Sequence, residues 1–162
     1  MKKAWIGLIG GVMLLASCGD KLGELSADIG GEYDMIDYHK IGSYDGLQEY
    51  EYNDKSFDIN TFIFTHNEAA TNALTWHYRM HVDFRLGSNV NTGVLQESVN
   101  GTWEIVEYKG STPDSMYITI DNETLGYEIE SFVDSVLTIH THVGDSADGG
   151  VWYIERMQFD KI

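Results

Sequence analysis

Histidines are the residues of this chain whose spacing most invites chemistry: His77 and His81 stand in "TWHYRMHV", and His140 and His142 in "TIHTHV". Even spacing puts each pair on one side of an extended strand, and imidazoles from two neighbouring strands in register would suit zinc or copper. Polar side chains sharing a strand face are mostly solvated, however, and acidic neighbours stand beside these, so surface histidines and no metal site are expected. The 26 carboxylates always offer some pair at a distance suited to glycoside hydrolysis. A working pair is recognised by its separation and one raised pKa, neither of which composition reveals. The sequence holds no Gly-rich phosphate loop after a strand, no nucleophile elbow and no HExxH helix. The expectation is a protein that is not an enzyme and carries no cofactor. The one thiol, Cys18, has no second cysteine for a disulfide, lies outside any cluster of zinc ligands, and as a nucleophile would need a base held beside it.

The surroundings of Cys18 give it a different task. Met1, Lys2 and Lys3 form a positive start, followed by "AWIGLIGGVMLLA", Ala4 to Ala16, an uncharged run of 13 residues. That run is shorter than the roughly 20 residues a membrane-spanning helix needs, and Gly10 and Gly11 weaken it further, so it reads as a secretory signal. "LASC", Leu15 to Cys18, resembles the lipobox of bacterial lipoproteins at all four positions. The resemblance implies that residues 1–17 are removed and that Cys18 becomes a lipidated first residue. Each buried methylene contributes about 0.8 kcal/mol, and more than one acyl chain is needed for stable anchoring.

Without residues 1–17, 8 basic residues face 26 acidic ones, a net charge of −18. Nucleic acid is thereby excluded as an expected partner, and an anionic leaflet would repel the body, leaving membrane attachment to the lipid. The remaining 145 residues suit one domain. "GDKLGELSADIG", Gly19 to Gly30, is polar and Gly-containing, so residues 18–30 are expected to be the lipidated cysteine and a linker, with the folded domain over residues 31–162.

That domain is rich in Tyr, Trp, Phe, Val, Ile and Thr in short runs, and has Pro only at Pro113. In "ALTWHYRMHVDFRL", Leu74, Trp76, Tyr78, Met80, Val82, Phe84 and Leu86 alternate with polar residues. A strand puts that whole set on one face; at about 3.3 Å per residue it would run on the order of 45 Å, which suits a coiled barrel strand. Similar runs occupy 31–38, 47–52, 56–66, 102–109, 115–121, 126–133, 135–143 and 151–159, with turn residues at 43–46, 86–93, 121–124 and 144–150. The expected fold is all-β: an antiparallel up-and-down barrel of about eight to nine strands, closed to remove exposed edges.

Val99 to Val143 followed by "VWYIERMQF" resembles the small lipocalin-like lipoproteins of Bacteroidota, with Gly101-Thr102-Trp103 matching their "GTW" strand start. The opening "GGEYDMIDY" corresponds to the first such strand, with Tyr33 where Trp is usual. The resemblance implies a lipocalin-like barrel anchored in the cell envelope, on the periplasmic or surface side of an outer membrane. "GDSADGG", around Ser146, is only superficially similar to a serine-protease nucleophile loop, because Ala147 stands where that loop needs Gly. Asp145 and Asp148 lack the regular spacing and final Glu of a calcium loop, so a turn is expected there.

Binding remains. Trp76, Tyr78, Met80, Phe84, Trp103, Tyr127 and Trp152 are the expected inward set, either filling the barrel of a protein with an envelope-structural role or lining a cavity for a small hydrophobic ligand. The alternative is a filled barrel acting as a surface module, whose Tyr-rich loops such as "SYDGLQEYEY" contact a protein or glycan.

Overall fold

Alternating side chains build eight strands: β1 (Gly31–Ser43), β2 (Glu49–Thr65), β3 (Asn72–Leu86), β4 (Asn89–Lys109), β5 (Thr112–Ile120), β6 (Glu123–Val133), β7 (Val136–Val143) and β8 (Trp152–Lys161). Each pairs antiparallel with its sequence neighbours, and β8 returns to β1, closing an up-and-down barrel of the lipocalin-like kind. The structure is a computed structural model. It describes residues 17–44, 48–68, 70–109, 112–144 and 150–162, with side chains at all of these except 17–21, 107–109 and 112–114. The apolar run and the start of the lipobox-like stretch, residues 1–16, lie outside the described residues, as do 145–149 of the Ser146 turn.

Nine expected runs become eight strands because 47–52 and 56–66 belong to one strand, β2. Its register against β3 shifts between Asp54 and Ser56 and again between Phe57 and Ile59, and such bulges break the period of two that marks a strand in sequence. The turn expected over 86–93 narrows to Gly87-Ser88, with β4 beginning at Asn89. Gly87 has φ +58°, a left-handed conformation that glycine adopts without strain. The β5–β6 and β6–β7 hairpins turn on Asp121-Asn122 and Asp134-Ser135, all four residues at positive φ, as two-residue loops matching the twist of a sheet require.

In β1 the pairing with β2 is interrupted between Tyr33 and His39, and a bulge between Met35 and Asp37 shifts the register against β8. Side chains of β2 complete the broken ladder. The Met35 N–H donates to Asn60 Oδ1 and Asn60 Nδ2 donates to the Met35 carbonyl, both at 2.8 Å, while the Tyr38 N–H donates to Asp54 Oδ1 at 2.8 Å. After the bulge Tyr38 is buried and Lys40 joins it on the inner face.

Most of residues 18–30, expected as the lipidated cysteine and a linker, belong instead to helix α1 (Ser17–Ile29). Leu22, Leu25 and Ile29 recur at helical spacing; Ile29 is fully buried and Leu25 nearly so, and Leu22 packs against the core. Burying that stripe outweighs the helix cost of Gly19 and Gly23. The helix end is capped by the Gly30 N–H on the Ser26 carbonyl (2.9 Å), the Tyr33 hydroxyl on the Ile29 carbonyl (2.6 Å), and Lys161 Nζ on the Asp28 carbonyl (2.8 Å). A cation there also complements the helix dipole. The helix so closes one end of the barrel. Among the described residues no helix is long and apolar enough to cross a membrane.

Next to Ile29 the barrel is solid. Phe64 meets Tyr33, Trp103 and Phe159 edge-on at ring separations of 5.6, 5.7 and 6.1 Å, and Phe62 lies 4.9 Å from Phe159. Gly101 of the "GTW" start has a backbone reason: a Cβ there would lie 2.3 Å from the Thr119 carbonyl oxygen, so only glycine allows β4 and β5 to approach.

Candidate functional site

Toward the other end, where the β5–β6 turn lies, the barrel is hollow. A cavity of about 470 Å³ opens between β1, β3, β4, β5, β6 and β8, within the size range of small-molecule sites. Its floor is aromatic: Phe62, in the core, stacks on Tyr78 at 5.6 Å and meets Trp76 edge-on at 5.6 Å, separating the solid half from the hollow one. Ile118, Leu125 and Met157 supply apolar wall. A larger cleft of about 800 Å³ lies between α1, the loop joining β2 to β3, and β4. Its Glu24, Asn67, Glu68 and Glu104 are exposed, and the cavity inside the barrel, with buried Tyr38, Trp76, Ile118, Tyr127 and Met157 in its wall, is the better candidate.

Of the expected inward residues, Trp76, Tyr78 and Tyr127 line the cavity. Met80 and Trp103 are fully buried but pack elsewhere in the core, Trp103 with its Nε1 donating to the Ala73 carbonyl at 3.1 Å. Phe84 packs against Tyr52, ring centres 4.8 Å apart, and does not line the cavity. Trp152 is buried but does not line the cavity: Tyr153, Glu155 and Met157 line it and Phe159 is in the core, so the alternation of β8 places Trp152 on the other face of the strand.

Sequence reasoning missed the polar members. Tyr38 donates its hydroxyl to Glu155 Oε1 at 2.8 Å, and Tyr78 donates to Glu97 Oε2 at 3.0 Å. Lys40 Nζ stands 3.5 Å from Glu155 Oε1 and 4.1 Å from the centre of the Tyr153 ring. Burial pushes the Tyr38, Tyr78 and Tyr127 hydroxyls well above the ordinary tyrosine range, and the nearby carboxylates, Glu155 for Tyr38 and Tyr127 and Glu97 for Tyr78, push the same way. Neutral hydroxyls therefore persist as hydrogen-bond donors. Trp76, only 5% exposed, has a buried Nε1 with no protein acceptor.

The histidine pairs do not meet: β3 and β7 are four strands apart in the barrel. His81 Nε2 lies 3.1 Å from Asp58 Oδ2, and His140 Nε2 lies 3.5 Å from Glu128 Oε2. Among the described residues no group of three or more His, Cys, Asp or Glu side chains could hold a metal ion. Cys18 is the second residue of α1, and its side chain is outside those described. Compared with known proteins, the chain matches no family model, no curated protein and no solved structure.

Proposed function

We propose that this protein is a lipid-anchored envelope protein whose barrel binds one small ligand with an apolar body, without catalysing a reaction on it. The observation that carries this reading is the half-hollow interior: a cavity of about 470 Å³ over an aromatic floor, with polar groups beside apolar wall. A barrel serving only as a scaffold gains nothing from a hollow half, because unfilled apolar interior forfeits packing energy. The anchor rests on Leu15 to Cys18 and their resemblance to a lipobox.

The test is saturable binding of the uncharged fluorescent probe N-phenylnaphthylamine, read by the probe's own fluorescence. A parent that binds, and a cavity-filling Leu125→Trp variant that folds but does not, are expected. Probe binding that survives the filled cavity, or no saturable binding by the parent, would overturn the assignment.

A second reading has its own observation. Tyr44, Val90 and Val151, at the ends of strands or in the connections around the open end, are 61%, 58% and 61% exposed. Such residues suit contact with a surface protein or glycan, and that contact would survive Leu125→Trp.

A further inference from the structure

The ligand's charge is written on the cavity wall. Four carboxylates, Glu97, Asp121, Glu123 and Glu155, face one ammonium, Lys40. Lys40 is already engaged by Glu155 and by the face of Tyr153. Glu97 accepts a hydrogen bond from Tyr78 and has no cationic partner among the described residues. A carboxylate offers about four acceptor sites, so Glu97 retains room for a further donor. The field is felt across the hollow half: burial first, then Glu155, raises both Tyr127 and Tyr153, and Glu97 adds to Tyr127.

Resting on the binding reading above, we infer that the cavity selects a cationic amphiphile, a protonated amine carried on an apolar body. Two features converge on that class. Lys40 demonstrates that the wall accepts an ammonium, with a ring face on one side and a carboxylate on the other, which is how aromatic sites hold cations. The apolar floor of Trp76 and Ile118 takes the body of the molecule. A fatty carboxylate would instead enter against Glu97 and Glu155, with the one ammonium already paired, and like charges in a partly desolvated site repel strongly.

Octylammonium, octanol and octanoate, matched in chain length, separate charge from apolar fit when each competes with N-phenylnaphthylamine on the full chain. The expected order is octylammonium, then octanol, then octanoate, with at least about tenfold between the two charged probes. Glu97→Gln, which keeps an acceptor for Tyr78, should shrink the preference for octylammonium over octanol several-fold and leave octanol binding in place. Asp160→Asn, at an exposed acid outside the cavity, should change neither. Octanol equal to or tighter than octylammonium would overturn the charge inference while leaving the binding barrel standing. An equal loss of preference in Asp160→Asn would overturn it too, as an effect of net charge alone. Failure of all three probes to compete, with no probe binding by the parent, would bring down the binding reading itself.

Discussion

One carboxylate on β8, Glu155, holds two side chains of β1: its Oε1 accepts from the Tyr38 hydroxyl at 2.8 Å and stands 3.5 Å from Lys40 Nζ. Glu155→Leu removes the acceptor for a tyrosine that is 5% exposed. Stranding a buried donor costs about 1–3 kcal/mol, whereas Glu155→Gln keeps an acceptor and should cost less. Urea unfolding of the two variants should rank them in that order; a Leu variant as stable as the parent would show that this pair does not hold the wall.

The Asn60 side chain stands in for the missing β1–β2 ladder through two bonds to Met35. Asn60→Ala should therefore cost about 1–3 kcal/mol in equilibrium unfolding, and amide exchange should rise at Met35 before it rises elsewhere in β1. Unchanged protection at Met35 would contradict the substitution of side chain for backbone.

The solid and hollow halves should answer truncation differently. Phe64→Ala empties a site where every neighbour is packed, and should cost about 3–5 kcal/mol. Leu95→Ala acts on a half-buried side chain on the cavity wall, already short of partners, and should cost under about 1.5 kcal/mol. Denaturant midpoints at equal slope decide it; similar losses would mean that the interior is uniformly filled.

Alkali should unfold the protein through its tyrosines. Burial raises Tyr33 to about 12 from an ordinary 10.0, and pushes Tyr38, Tyr78 and Tyr127 up further still. A group whose pKa is higher folded than unfolded contributes stability that is complete below pH 10 and is lost as pH climbs through the folded value. Stability should be flat with respect to these groups up to pH 10 and fall steadily beyond it. Tyrosinate absorbance should appear together with the loss of sheet signal, and ionisation of all the tyrosines near pH 10 without unfolding would contradict the burial.

Cys18→Ala should abolish incorporation of labelled fatty acid and move the protein out of the detergent phase. Equal labelling of variant and parent would remove the anchor from the proposal.

How far sequence carried these conclusions depended on which residues face inward. On β3 the inward residues from Leu74 to Leu86 are nearly all apolar, and alternation alone placed Trp76 and Tyr78. On β8 the inward set includes Glu155, and Trp152 had only its size and apolar character to suggest an inward position, since residue type alone does not say which face of a strand a side chain occupies. Glu97, Lys40 and Glu155 look like solvent-facing residues until the barrel closes around them, because a charged residue's type does not say which side of a strand it occupies. Tyr38 was hidden by the bulge before it, which resets the period of two. The spacing of Leu22, Leu25 and Ile29 was a readable signal for α1, masked by the glycines at 19 and 23.

The docking of α1 gives the barrel a compass. Ile29 and Leu25 are buried and Leu22 packs against the core, so the helix lies against the closed end and Cys18 stands about one turn beyond Leu22. If Cys18 carries the lipid, the helix docked on the body leaves no long leash between bilayer and barrel, and the attachment lies at the plugged end. The mouth of the cavity then looks away from the host bilayer, so cargo arrives from the aqueous side rather than sliding up out of the leaflet beneath.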